Sequence, residues 1–156
     1  MVRWRPPAAW LRAAFITASA AWAVLLVAAP FAASRPHVSA LVSALTLGVY
    51  SMGSLVCHQL PERSYSLWTA QMPVCARCAG IYFGAIAGAL GACGFQMPGA
   101  RARLLLALAV APTLITLVYE WTTGVMPSHA IRAAAGVPIG AVVAWLVVAA
   151  ADNQVN

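Results

Sequence analysis

Five long apolar runs, separated by short polar segments, dominate the sequence. They cover residues 11–33, 38–56, 79–95, 104–121 and 131–151, approximately. A run of about 20 apolar residues is typical of a helix that crosses a bilayer, because helical geometry satisfies every backbone polar group internally. The pattern predicts an all-α, polytopic membrane helix bundle with about five transmembrane helices, forming a single domain over residues 1–156.

Composition supports a membrane location and excludes other classes of protein. The chain is 63% hydrophobic and 8% charged, whereas soluble domains carry about 25% charged residues. All nine basic residues are arginines, scattered between apolar runs, so we expect no nucleic acid partner. The expected partner is the lipid bilayer, with a homo-oligomer or a larger membrane complex as further possibilities.

The distribution of arginines predicts the orientation. Cytoplasmic segments of membrane proteins are enriched in basic residues. A cytoplasmic N-terminus and five crossings would put six arginines inside (Arg3, Arg5, Arg12, Arg63, Arg77, Arg132) and three outside (Arg35, Arg101, Arg103). We therefore expect a multi-pass protein of the prokaryotic inner membrane, with residues 57–78 on the cytoplasmic side. The first run is longer than the core of a signal peptide, which favours an uncleaved helix over a cleaved one.

Small residues recur at every fourth position in the third and fifth runs. Gly80, Gly84 and Gly88 lie in the third run, and Gly136 and Gly140 in the fifth. Such stripes allow two helix backbones to approach closely. We expect this contact within one chain, with contact between two chains as the alternative.

The segment from Cys57 to Cys78 concentrates the chemistry of the chain. Cys75 and Cys78 form a C-x-x-C pair, and Cys57 and His58 end the preceding run. Antiparallel helices joined here would bring three thiolates and an imidazole together, a ligand set that suits zinc or copper(I). Because neighbouring residues rarely both reach one metal, a supporting role for His58 is the alternative.

Other polar residues are candidates for a supporting role around this site. They are Glu62, Arg63, Arg77, Tyr82, Glu120, His129 and Arg132. The plainer interpretations are an ion pair between Glu62 and Arg63, an interfacial acid at position 120 and a packing tyrosine. Cys93 lies about 22 Å along the third helix from Cys78 and is predicted to be a packing residue.

Three functions remain open from these residues. The first is a metal site of Cys57, His58, Cys75 and Cys78, in which cytoplasmic reduction would keep the thiols free. The second is a membrane thiol–disulfide oxidoreductase using Cys75 and Cys78, with Arg77 favouring the thiolate. The third is a non-catalytic subunit of a membrane complex. Whether the protein is an enzyme, and which residues would be catalytic, stays open.

The cysteine segment also resembles a known family. The matching residues are 57–59 (CHQ), 61–64 (PERS), Gln71, Pro73, 75–78 (CARC) and 80–82 (GIY). They look like the signature of bacterial and archaeal predicted membrane proteins of unknown function. A looser similarity covers residues 112–140, where the Asp-Gly pair associated with the family is missing. Ala79 stands where a threonine is usual. The resemblance implies a multi-span helical fold and supplies no reaction.

Overall fold

A computed structural model describes residues 8–92 and 99–153, which form five helices and one small hairpin. The helices are α1 (Ala8–Ala33), α2 (Ala40–Val56), α3 (Ala76–Gly91), α4 (Gly99–Thr123) and α5 (His129–Asn153). The strands are β1 (Ser64–Leu67) and β2 (Ala70–Cys75), preceded by a one-turn 3-10 helix, Pro61–Arg63. The predicted helical membrane bundle is confirmed, and the hairpin is an addition that the apolar pattern did not indicate.

The helices differ in their capacity to cross a membrane. Within the described residues, three helical segments are long and apolar enough: Arg12–Ala33, Gly99–Thr123 and His129–Ala151. With 17 and 16 residues, α2 and α3 are only about 25 Å long, against a hydrocarbon core of about 30 Å. The bundle therefore combines three full-length apolar helices with two shorter ones.

The glycine stripes join α3 to α5 inside one chain, as predicted. A Cβ atom added at Gly80, Gly84 or Gly88 would overlap a backbone carbonyl of α5, and one added at Gly136 or Gly140 would overlap a carbonyl of α3. The contacts advance in the same direction on both helices, so α3 and α5 are parallel. Their first turns consequently lie at the same end of the bundle.

α1 runs antiparallel to α3 and α5. Phe15 and Ile16, in its N-terminal half, pack against a cluster from the C-terminal parts of those helices: Ala89, Ala92, Ala144 and Val148. Farther along α1, Trp22 meets Tyr82 edge to face, with ring centroids 5.9 Å apart. The start of α1 therefore lies where α3 and α5 finish. We call the opposite end, where α3 and α5 begin, the site end.

α4 follows α3 in the sequence and runs back to the site end, where α5 begins. The Thr113 hydroxyl donates to the carbonyl of Ala135 at 2.8 Å, and Glu120 faces Arg132 farther down. The residue later in α4 contacts the residue earlier in α5, so the two helices are antiparallel. The end of α4 and the beginning of α5 are thus brought beside the hairpin.

The hairpin packs on α1 and places its last residue, Cys75, at the start of α3. Trp68 and Thr69 form its two-residue loop with φ of 49° and 72°, the left-handed conformation that two-residue hairpin loops require. Neither residue is a glycine, so this loop is strained. The Trp68 ring packs edge to face on Phe31 of α1, with centroids 5.2 Å apart, and this contact helps to hold it.

The cysteine segment lies at the opposite end of the bundle from the start of α1. The sequence pattern placed both on one side, because it took α2 for a full crossing. Instead Cys57, which follows α2, packs against the cluster of Leu26, Met72, Val74 and Ala79, close to the C-terminal part of α1. The predicted placement is therefore wrong: α2 does not return to the level at which α1 begins.

Candidate metal centre

The end of α2 is tied to β2 by glutamine side chains. Gln59 Nε2 donates to the carbonyls of Tyr50 and Pro73, at 2.8 and 2.7 Å. Gln71 donates in return to the carbonyl of Gln59, and the Tyr50 hydroxyl donates to the carbonyl of Gln71. A Cβ at Gly53 would overlap Pro73. These contacts press α2 against the strand and bring Cys57 beside Cys75.

Cys75 and Cys78 occupy the first turn of α3. Cys75 is the last residue of β2 and the N-cap of α3, with φ −69° and ψ 161°. The helix begins at Ala76, three residues earlier than the apolar run predicted, so Cys78 is helical. This turn of helix brings both sulfurs to the same side, because residues three apart on a helix are neighbours.

The three sulfurs form a compact thiol cluster of Cys57, Cys75 and Cys78. All three Sγ atoms lie within 4.8 Å of one another, and none of the three cysteines is in a disulfide. Cys57 Sγ also accepts a hydrogen bond from the Cys75 backbone N–H at 3.2 Å. The predicted meeting of Cys57 with the C-x-x-C pair is therefore confirmed.

The surroundings of the thiol cluster favour a thiolate on Cys75. Hydrogen bonding from the Cys78 thiol is the main cause that lowers the pKa of Cys75 to about 5, and bonds from the Cys78 and Arg77 backbone and the Cys57 thiol act in the same direction. Its position at the N-terminus of α3 adds the positive end of a helix dipole. A thiolate is the form that binds metal ions and attacks disulfides.

His58 does not join the thiol cluster. Cys57 has an extended backbone, with φ −146° and ψ 137°, and successive side chains of extended chain point in opposite directions. With Cys57 turned towards Cys75, His58 is exposed. The group of candidate ligands that the described residues form consists of the three cysteines alone, so the predicted imidazole ligand is not brought to the thiol cluster.

Tyr82 lies beside the thiol cluster, a position that fits both a supporting residue and a packing tyrosine. Together with Cys57 and Cys78 it packs against the cluster of Leu26, Met72, Val74 and Ala79, and its ring contacts Trp22. Because Trp22 belongs to α1 and Tyr82 to α3, this ring contact links the two helices near the thiol cluster. Cys93, predicted to be a packing residue, lies outside the described residues.

A second polar group surrounds Glu120, at the end of α4. Arg63 Nη2 lies 2.7 Å from Glu120 Oε1, and Arg132 Nη2 lies 3.9 Å from Oε2. Arg77 donates to the hydroxyl of Thr116 on α4 at 3.3 Å. We call Arg63, Arg77, Arg132 and Glu120 the arginine–glutamate cluster. Glu120 and Arg132 are buried, with 8% and 1% of their side chains exposed.

This arrangement corrects one prediction and extends another. Arg63 pairs with Glu120 across 57 positions of sequence rather than with its neighbour Glu62. Glu62 contributes its backbone, because its carbonyl oxygen lies 3.2 Å from His129 Nε2. The His129 ring also contacts Tyr65, with centroids 5.3 Å apart. The α4–α5 loop and the cysteine segment thus meet at the site end, as the sequence pattern indicated.

Sequence reasoning missed the residues that position the site. Gln59 and Gln71 belong to the signature residues, which carry no assigned role. Thr113 and Thr116 lie within an apolar run that predicts only a helix. Partly buried amides that bond to backbone carbonyls leave no periodic pattern. The signal available was the presence of two glutamines within a segment next to apolar runs, since amides at the edge of a membrane need partners.

The chain is similar to uncharacterised archaeal proteins. It is 40% identical over 60 residues to an uncharacterized protein of Methanocaldococcus jannaschii, covering 38% of each chain. It is 36% identical over 86 residues to an uncharacterized protein of Methanothermobacter thermautotrophicus, covering 54% of this chain and 78% of the relative. The chain thus spans well under half of the length of the first relative and most of the second. No solved structure matches it.

A family model described as "Predicted membrane protein (DUF2085)" matches residues 57–146. The match begins at Cys57, so it includes the thiol cluster and the arginine–glutamate cluster. It also extends over α3 and α4 and most of α5, and it covers more than half of the chain. The chain therefore belongs to the DUF2085 family of predicted membrane proteins.

Proposed function

We propose that this protein binds one thiophilic metal ion, zinc or copper(I), through Cys57, Cys75 and Cys78. The observation that carries the proposal is the approach of the three Sγ atoms to within 4.8 Å of one another. Zinc–sulfur bonds of about 2.3 Å in tetrahedral geometry put sulfurs about 3.8 Å apart. A contraction of about 1 Å, within reach of side-chain rotation, would complete the site.

Three sulfur ligands suit copper(I) fully and zinc partly. Soft thiolates select copper(I) and zinc over harder ions. A zinc ion would keep a fourth position for water or for another ligand, and an open position is typical of sites that exchange ligands rather than of closed structural sites.

The metal content of the purified protein tests this proposal. We expect about one equivalent of zinc or copper in protein purified in mild detergent, measured by elemental analysis. Cys75→Ser should lose the metal, because it removes a ligand. Cys93→Ala is the matched control, since we expect its metal content to stay at the wild-type value. Well-folded wild-type protein without metal, even after incubation with either ion, would refute the metal site.

Orientation bears on the redox environment of the site. Arg12, Arg101 and Arg103 lie towards the end of the bundle where α1 begins, and Arg3 and Arg5 come before α1 in the sequence. The other four arginines lie towards the site end: Arg35, Arg63, Arg77 and Arg132. Three of those four belong to the arginine–glutamate cluster. The arginine distribution supports an inner-membrane protein with a cytoplasmic N-terminus and a thiol cluster that faces away from the cytoplasm.

Such an orientation favours a second candidate function, thiol–disulfide exchange by Cys75 and Cys78. The specific observation is a C-x-x-C pair in the first turn of a helix, with the pKa of Cys75 lowered to about 5 by the Cys78 hydrogen bond. Cys57 lies close enough to resolve a mixed disulfide. Outside the cytoplasm such a pair can be oxidised.

Thiol labelling separates the two candidates. In metal-free protein equilibrated with glutathione buffers, an exchange protein should interconvert between a dithiol and a Cys75–Cys78 disulfide, and Cys57→Ser should keep that disulfide. A metal site should instead protect all three thiols from a maleimide until a chelator is added. Labelling of Cys57 from one side of sealed vesicles reports the orientation independently.

A further inference from the structure

Arg132 is a buried cation whose hydrogen bonds are incompletely used. It lies in the first turn of α5, inside a helix that is apolar enough to cross a membrane, with 1% of its side chain exposed. Its nearest carboxylate oxygen is Glu120 Oε2 at 3.9 Å. Charged side chains buried at membrane depth are costly, and they are functional more often than structural.

The surrounding charges do not balance. The arginine–glutamate cluster combines three guanidinium groups with one carboxylate, so its formal charge is +2. Glu120 Oε1 pairs with Arg63, whereas Glu120 Oε2, 3.9 Å from Arg132 Nη2, makes no hydrogen bond within the described part of the chain. Buried ions need compensation, and the described residues supply too little of it.

The unused donors point to the chemistry that is missing. Within the part of the chain that the structure describes, Nε and Nη1 of Arg132 and Nε of Arg63 and Arg77 are shielded from solvent and find no acceptor. Guanidinium groups present their N–H bonds as a planar fork that matches the oxygens of a phosphate or carboxylate. A water molecule would accept these hydrogen bonds but would leave the charge uncompensated.

Two helix N-termini reinforce the preference for an anion. α5 begins at His129, three residues before Arg132, and the parallel α3 begins one residue before Arg77. The positive ends of both helix dipoles therefore lie at the site end, and helix N-termini favour anions. Arg63 is 38% exposed and is the member of the cluster through which a ligand would enter.

We propose that Arg132, Arg77 and Arg63 form a binding site for a phosphate-class oxyanion, next to the thiol cluster at the site end. The ligand is either free phosphate or the headgroup phosphate of a phospholipid, since both present the same oxygens and the site lies at a membrane surface. Glu120 limits the affinity, because its carboxylate competes for the same guanidinium groups. The site does not depend on metal binding by the cysteines.

The experiment is a binding measurement on delipidated full-length protein in a neutral detergent. Radiolabelled inorganic phosphate is titrated by equilibrium dialysis at constant ionic strength. In a second arm, retention of phosphatidylglycerol is compared with retention of a phosphate-free galactolipid by native mass spectrometry. Saturable phosphate binding identifies a free oxyanion site, and selective retention of phosphatidylglycerol identifies a headgroup site.

Variants separate a binding site from a structural ion-pair network. Glu120→Gln should bind phosphate or phosphatidylglycerol about tenfold more tightly, because it removes a competing charge. Arg63→Gln should bind about tenfold more weakly. Arg35→Gln, which removes an exposed arginine stacked on Phe31, is the matched control and should bind as the wild type does. Arg132→Gln is left out of the test, because replacing this buried arginine risks unfolding the protein.

The proposal is overturned if the wild type shows neither saturable phosphate binding nor preference for the phosphorylated lipid. It is equally overturned if Glu120→Gln, shown to be folded by circular dichroism, binds no more tightly than the wild type. Metal content, measured on the same samples, reports separately on the thiol cluster.

Discussion

The contact between α3 and α5 and the contact between α2 and β2 hold the same site from two directions, by different means. Along α3 and α5, glycines let two backbones touch, and no polar side chain is required. Between α2 and β2, Gln59 and Gln71 bond to carbonyls and only Gly53 is needed for close approach. The first contact sets the spacing of the bundle, and the second sets the position of one sulfur. Damage to each should therefore have different consequences.

The largest effect is expected from Gly84→Leu. A Cβ at this position would overlap the backbone carbonyl of Val137, so the two helices must separate along their length. We expect a loss of about 3 kcal/mol in the free energy of unfolding, measured by denaturation in detergent. Gly91→Ala is the control, because nothing lies within 4 Å of a Cβ there. Equal stability of both variants would show that α3 and α5 are not closely packed.

A smaller and more local effect is expected from Gln59→Ala. It removes the hydrogen bonds to Tyr50 and Pro73, so Cys57 should drift from Cys75 while the bundle stays folded. Supporting interactions around metal ligands are worth about 10–100-fold in affinity, and we expect a loss in that range in a chelator competition. Ser54→Ala, an exposed residue bonded within its own helix, should retain wild-type affinity.

The pH dependence of thiol reactivity tests the electrostatics of the thiol cluster without any substitution in the chain. The pKa of Cys75 is lowered to about 5, so this thiol is ionised above that pH and becomes protonated below it. In metal-free protein, we expect its alkylation rate to change little between pH 6.5 and 8. An ordinary thiol, with a pKa of about 8.5, should gain about tenfold per pH unit. A Cys75 rate that rises in the same way would contradict the assignment.

The smallest effect is expected where α4 meets α5. Thr113→Val removes the hydrogen bond to the carbonyl of Ala135 and should lower the free energy of unfolding by about 1 kcal/mol. Thr122→Val is matched to it, because the Thr122 hydroxyl bonds within its own exposed helix. We expect that control to stay within about 0.5 kcal/mol of the wild type. A larger loss for Thr122 would indicate an interface on the exposed face of α4.

The sequence by itself determined the features that depend on local pattern. Apolar runs predict helices because each run is long enough to span lipid, and glycines every fourth residue predict close packing because they share one helix face. The C-x-x-C pair needs only one helical turn to bring Cys75 and Cys78 together. The meeting with Cys57 followed from joining two neighbouring helices by one short segment.

Only the tertiary structure decided what depends on distant segments. Arg63 finds Glu120 rather than its neighbour, because the α4–α5 loop folds back onto the 3-10 helix. The extended backbone of Cys57 turns His58 outwards. The packing of α2 on β2, with Cys57 beside the cluster that contains Leu26, puts the thiol cluster opposite the start of α1. Hydropathy cannot make this choice, because a short apolar helix and a full crossing have nearly the same composition.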